Sequence, residues 1–412
     1  LGAAIFGGIV FALVALNRHG DTSIGTGGPL QSPPVVAAER PSPALPVKAP
    51  PGTLTFAKDI APIVWNRCAP CHRPGQVAPF SLLSYADLKK RSTEIAEVTA
   101  KRIMPPWPPE PAGGPFEAER RLPEAELSVL QQWLSEGAVE GNPADLPVMP
   151  TWPDGWFLGK PDLVVTMPAP YALAAEGRDD YRVFVLAIPT TERRFVRAVE
   201  LRPDNPRVVH HAFMFVDETG QSRRLDGQVA QPGAPYGTKM PEGQFLSYQP
   251  GRVPTPAPDG LAWTLEQGSY LVLQVHIKPT GKPEILQASV GFYFTDRAPT
   301  NTPFKVGLTS YTIEIPPGDA NYVVRDSFVL PVDVEAVAVL PHAHYLAKEV
   351  KGFASLANGT QIPLIQIKRW DFDWQGAYRY AQPIALPRGA TLMMEFTYDN
   401  STNNVRNPNH PP

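Results

Sequence analysis

Cysteine is nearly missing from this 412-residue chain: Cys68 and Cys71 are the only two. Three positions apart, they build no disulfide framework, so the cores must stand on packing. A basic excess is missing too. With 37 Lys and Arg against 40 Asp and Glu, the net charge of −3 offers no surface for nucleic acid. Histidine is sparse, with eight residues, so where each falls carries information. Proline is abundant at 50 residues, which breaks helices and favours short strands and ordered loops.

The first residue is not methionine, and the chain opens on "LGAAIFGGIVFALVAL" before "NRHGD". This apolar run reads as the later part of a signal peptide or membrane anchor, residues 1–18. A Gly-rich run ahead of a polar tether makes a poor buried helix. Residues 19–52 are a Pro/Gly/Ser/Ala linker, expected to be extended. Anchor plus tether predict an exported protein at the outer face of a bacterial inner membrane, in the periplasm.

"CAPCH", Cys68 to His72, is the c-type haem attachment pattern. Each thiol can form a thioether, and His72 is placed as the proximal iron ligand. A redox dithiol would want a βαβ context, which is not visible, and a zinc site would need two further ligands. Helical spacing flanks the motif: Phe56, Ile60, Ile63 and Val64 before it, a Ser84–Asp87 capping box after it, then an apolar stripe at Leu127, Leu130 and Leu134 between Pro123 and Gly137. Residues 53–142 resemble a small class I cytochrome c. That resemblance implies an all-α domain with covalent haem c and a distal methionine on a Pro-rich loop. Met104 of "KRIMPPWPP" fits this place, and Met/His ligation suits electron transfer.

Beyond Pro150 the pattern changes. "YRVFVLAI", "RFVRAVEL", "VVHHAFMF", "SYLVLQVHIK", "ASVGFYF", "YTIEI", "RDSFVL", "VEAVAVL" and "TLMMEFTY" are short, β-branched or aromatic, and bounded by turn residues. They predict an all-β region of two sandwiches, residues 150–298 and 299–412. Five of the eight histidines fall there as a pair, His210 and His211, a single His276 at a strand end, and His342 and His344 spaced by two. Spacing of two puts both imidazoles on one face of a strand, as a shared metal requires. Adjacent histidines point to opposite faces, so His210 and His211 can share a metal only where the strand bulges, twists or ends. Pro206 and the "RPDNP" turn favour such an irregular strand start.

From about Asp162 onward the chain resembles the copper type II, ascorbate-dependent monooxygenases, the family of peptidylglycine α-hydroxylating monooxygenase and dopamine β-monooxygenase. "VVHHAFMF", "LVLQVHIKPTGK", "PHAHYLAKEV", "SYQPG" and "YRYAQPIALPRGATLMMEFTYDNS" carry the resemblance. It implies two jelly-roll-like sandwiches and two coppers. His210, His211 and His276 would hold an electron-transfer copper, while His342 and His344, with a methionine, would hold the catalytic one. Dioxygen would be a substrate, together with a small molecule or a peptide.

Three departures stand out. The disulfides of the animal enzymes are missing, and a cytochrome segment has been added. The family's methionine ligand should follow "YDNS", but the sequence reaches Pro412 without it; the role does not pass to Met393 or Met394. The sequence is therefore expected to be cut at both ends. Tyr345, Trp370, Phe372 and Trp374 are candidates for a pocket wall or for core. The expected activity is hydroxylation by O2, electrons passing from haem to copper and an upstream donor feeding the haem. The rival is a periplasmic electron-transfer or copper-binding protein without hydroxylase activity.

Overall fold

In the computed structural model, residues 7–16, 48–153, 155–231, 234–258, 260–310 and 312–412 are described. Most of the expected linker therefore lies outside the described residues. The first described element is a strand, β1 (Gly7–Ala15). The helical segment follows. A π-helical turn, Phe56–Ile60, leads into α1 (Ala61–Arg67), and Thr55 Oγ1 caps the turn by accepting from Lys58 N at 3.3 Å. α2 (Tyr85–Lys90) opens on the reciprocal Ser84–Asp87 capping box. The single helix expected here is broken at Arg91, whose backbone is not helical, and resumes as α3 (Ser92–Ala100). α4 (Glu124–Ser135) begins behind Pro123 and is followed by Gly137 at φ +94°. Phe56, Ile60, Val64, Leu88, Leu130 and Trp133 form one small core between these helices.

The remainder is mostly β-sheet. β2 (Leu163–Thr166), β3 (Tyr171–Leu173), β4 (Asp180–Ala187), β5 (Arg194–Pro203), β6 (Val209–Asp217), β7 (Ser247–Tyr248), β8 (Trp263–Leu265), β9 (Tyr270–Ile277), β10 (Glu284–Leu286) and β11 (Ala288–Thr295) form the first half. Its two four-stranded sheets, ordered β2-β11-β5-β8 and β4-β9-β6-β7, enclose a core that includes Val196, Leu265, Leu273 and Phe292. The second half holds β12 (Pro303–Ser310), β13 (Tyr322–Val329), β14 (Val334–His342), β15 (Ala347–Ser355), β16 (Gln361–Ile367), β17 (Tyr378–Leu386) and β18 (Thr391–Tyr398). Its sheets run β12-β1-β14-β17 and β13-β18-β15-β16. Strict alternation makes β18 a half-buried strand: Leu392, Met394, Phe396 and Tyr398 face the core, and Met393 lies on the other face. "YTIEI" forms no strand over its described residues, 312–315; Pro316 and Pro317 follow at once, and Asn400 Nδ2 donates to Ile315 O at 3.0 Å.

The opening segment differs from the anchor expected of it. β1 lies antiparallel between β12 and β14, paired along its length on both sides. Ile9, Phe11 and Leu13 are fully buried, each contributing roughly 1.5–3 kcal/mol. The Val, Ile, Phe and Leu side chains of β1 suit a central strand buried on both faces. No helix among the described residues is long and apolar enough to cross a membrane.

The helical segment reaches both β halves. Its 105–120 loop lies on the second half, where Glu110 N donates to Gln366 O at 2.7 Å and Glu117 N to Arg379 O at 2.8 Å. Phe116 enters the second core and stacks on Tyr380. On the first half, Gly251 at φ +75° meets Cys71 so closely that a Cβ there would collide with Sγ.

Candidate metal centres

The adjacent histidines sit on an irregularity at the start of β6. Val209 pairs with Ile277 and His211 with His276, so His210 is an extra residue that shifts the register. This β-bulge turns two neighbouring side chains towards one place. His210 Nδ1 lies 3.0 Å from His211 Nδ1 and 2.9 Å from His276 Nδ1. Among the described residues these three form the one group of three or more His, Cys, Asp or Glu side chains close enough to hold a metal ion.

The far sides of the rings fix the proton positions. His276 Nε2 lies 2.7 Å from Asp179 Oδ2, and His210 Nε2 lies 3.0 Å from Asp373 Oδ1. A carboxylate only accepts, so His276 Nε2 carries the proton and its neutral ring presents a bare lone pair at Nδ1, whereas His210 Nε2 is within ion-pair distance of Asp373 but makes no hydrogen bond among the described residues. Burial, and then the charge of His210, lower the His276 pKa to about 4, and the Asp179 bond only partly offsets this. His211 is held well below the ordinary range by burial, then by His276 and His210. Lone pairs facing at 2.9 Å repel unless a cation lies among them. A proton on His210 Nδ1 would serve one partner, yet that atom faces two. A metal ion serves all three, and the carboxylates behind the rings are the usual outer support of histidine ligands. The donor set therefore fits copper or another imidazole-binding metal.

The second pair comes from the other half. His342 ends β14 and His344 follows it, with Nε2 atoms 3.2 Å apart and ring planes at 88°. Spacing of two brings both rings to one side, as expected. Burial and then His344 lower the His342 pKa to about 4, while Gln375 acts in the opposite direction. Gln375 is itself tied down, donating to Phe372 O at 2.9 Å and accepting from Gln249 Nε2 at its carbonyl. Two imidazole nitrogens fit part of a metal's coordination shell. Met394 is buried in the core, and Met393 lies on the other face of β18. His410 is exposed.

Phe372 joins the two groups. Its ring centroid lies 5.8 Å from that of His210, 6.1 Å from His276, 5.9 Å from His344 and 4.1 Å from Tyr345. Phe372 and Trp370 are buried, whereas Tyr345 is partly exposed. The same loop carries Asp373, which pairs with Lys278 Nζ at 2.6 Å as well as with His210. Asp179, Asp373 and Gln375 were not singled out from the sequence. Only the fold brings them behind the histidines, and no spacing signals it.

At the CAPCH turn, Cys68 closes α1 and both Cys71 N and His72 N donate to Cys68 O. The thiols are free, and burial pushes Cys68 up to about 12. His72 Nδ1 lies 3.2 Å from Phe80 O, so it carries the proton and leaves the Nε2 lone pair for an axial position. These residues fit haem attachment. Met104 stands on a separate loop, half-buried, after α3, with its N bonded to Val98 O at 3.2 Å. Comparison of the chain with protein-family models and with curated proteins gives no match.

Proposed function

We propose that the chain is a haem-c-linked copper monooxygenase that hydroxylates a C–H bond with O2, electrons passing from haem to copper. The convergence of three Nδ1 lone pairs from His210, His211 and His276 carries this reading. The finer fold it implies is a pair of jelly-roll-like sandwiches, supported by the paired four-stranded sheets of each half. Copper, when bound, supplies one-electron redox chemistry and dioxygen reduction. His210, His211 and His276 would hold one metal; Asp179 accepts from His276 Nε2 and keeps its Nδ1 aimed, and Asp373 lies beside His210 Nε2. His342 and His344 would hold a second metal through Nε2. Phe372 packs against rings of both groups. Cys68, Cys71, His72 and Met104 would hold the haem. The balance is R–H + O2 + 2e⁻ + 2H⁺ → R–OH + H2O, so two electrons must come from a donor outside the substrate.

Copper-loaded full chain, a reductant, ¹⁸O2 and a panel of small apolar substrates and peptides test it. The expected product carries one ¹⁸O atom, and His342→Ala abolishes the labelling. Oxygen uptake with the label found only in water or peroxide would contradict hydroxylation and favour the electron-transfer reading.

A further inference from the structure

Three guanidinium groups converge where the helical segment meets the β halves. Arg120 of the 105–120 loop, Arg252 beyond β7 and Arg379 of β17 line one cavity of about 90 Å³, with Trp107 and Tyr378 in its wall. That volume exceeds what one water needs and accommodates a small carboxylate. Among the described lining residues, Glu117 is the one carboxylate, 3.7 Å from Arg379 Nε. The other partners are neutral: Arg252 donates to Ser247 Oγ at 2.6 Å and Arg379 to Pro256 O at 2.5 Å. Two buried donors, Arg120 NH1 and Trp107 Nε1, have no hydrogen-bond partner among the described residues. Burial and the repulsion of Arg379 and Arg120 lower the Arg252 pKa to about 10.

Buried like charges are costly without a compensating ion, and buried donors without acceptors add to that cost. Guanidinium forks match carboxylates in geometry. We propose that Arg120, Arg252 and Arg379, with Trp107 Nε1, form a binding site for a carboxylate group. Two sources share that chemistry: a propionate of a haem attached at Cys68 and Cys71, or a free small carboxylate. Cys71 Sγ and Arg120 NH1 approach the same point over Gly251, so the site lies beside the haem-attachment turn. The propionate source rests on the haem reading of CAPCH; the free source does not.

Full chain produced without haem, as the Cys68→Ser/Cys71→Ser variant, is titrated with succinate by calorimetry in low-salt buffer after circular dichroism confirms folding. Saturable one-to-one binding is expected, weakened at least tenfold in an added Arg120→Gln change. Absence of binding overturns the proposal. The haem-bearing chain separates the sources: loss of the succinate site assigns it to a propionate, and its persistence to a free carboxylate. Should the haem-free variant not fold, the sign of one substitution decides. Arg120→Met in the haem-bearing chain, with succinate present, lowers the melting temperature if an anion is bound. A rise or no change overturns the proposal, because without a bound anion removing one of three clustered positive charges relieves repulsion.

Discussion

The two histidine groups face each other across Phe372 but are supported differently. Behind the first stand carboxylates, Asp179 on His276 and Asp373 on His210. Behind the second lies a neutral amide, Gln375, near His342, its Oε1 without a hydrogen-bond partner among the described residues. A carboxylate on the far nitrogen raises imidazole basicity and fixes its direction more strongly than an amide does. The first group is thus a preorganised three-nitrogen site, and the second a two-nitrogen site open to other ligands. The first is also shared between the halves, since Asp373 and Phe372 belong to the second half while all three histidines belong to the first. A donor site gains from rigid, complete ligation, and a site that must admit oxygen and substrate gains from openness.

The largest effect should come from His276→Ala. Its ring is buried and supplies one of three nitrogens, so copper affinity at the first group should fall by more than about 100-fold, beyond the range of outer-shell changes. Chelator-competition titration should show the His342/His344 site unaffected; equal loss at both would erase the distinction between them. Next, Asp179→Asn should weaken the first site by roughly 10–100-fold. Asp373→Asn should act in the same direction but less, since Asp373 is half exposed and also held by Lys278. Both changes should leave the second site alone.

A third difference lies along the strands. β6, which starts with His210 and His211, is clamped at its other end by Asp217, which accepts from Thr219 N at 2.7 Å, Thr219 Oγ1 at 2.6 Å, Gly220 N at 3.0 Å and Ser222 N at 2.7 Å. Burial raises this carboxyl, but the bonds from Ser222 and Thr219 outweigh it and bring the pKa down to about 2. Its folded pKa is below the unfolded value near 3.9, so the stabilisation is present above about pH 4 and is lost as pH falls towards 2. Acid melts followed by tryptophan fluorescence should show Asp217→Asn costing roughly 2–3 kcal/mol at pH 7 and nothing below pH 2. The smallest effect is expected from Gln375→Leu, only a few-fold in affinity at the second site. A loss as large as that of Asp179→Asn would make the two supports equivalent.

Much of this was legible in the chain before folding. Alternation in "TLMMEFTY" and "RFVRAVEL" marks strands because one face is buried, and Ser84 with Asp87 marks a helix start because both satisfy free backbone N–H groups. Adjacent histidines sharing one site required a bulge, a twist or a strand end, and β6 has a bulge. Other features were hidden for physical reasons. The apolar opening run has the composition of a membrane segment, and only pairing partners far along the chain, on β12 and β14, distinguish a central strand. Asp179, Asp373 and Gln375 are ordinary loop residues, and tertiary approach alone gives them their roles. The break at Arg91 has no breaker residue to announce it.

The central claim is that His210, His211 and His276 take one metal through Nδ1. Its most direct test is X-ray absorption and pulsed EPR on full chain loaded with one equivalent of copper. The account predicts three imidazole nitrogens at about 2.0 Å, with remote-nitrogen couplings that drop by one imidazole in His276→Ala. A copper shell of oxygen ligands, or three imidazoles that persist in His276→Ala, would contradict it.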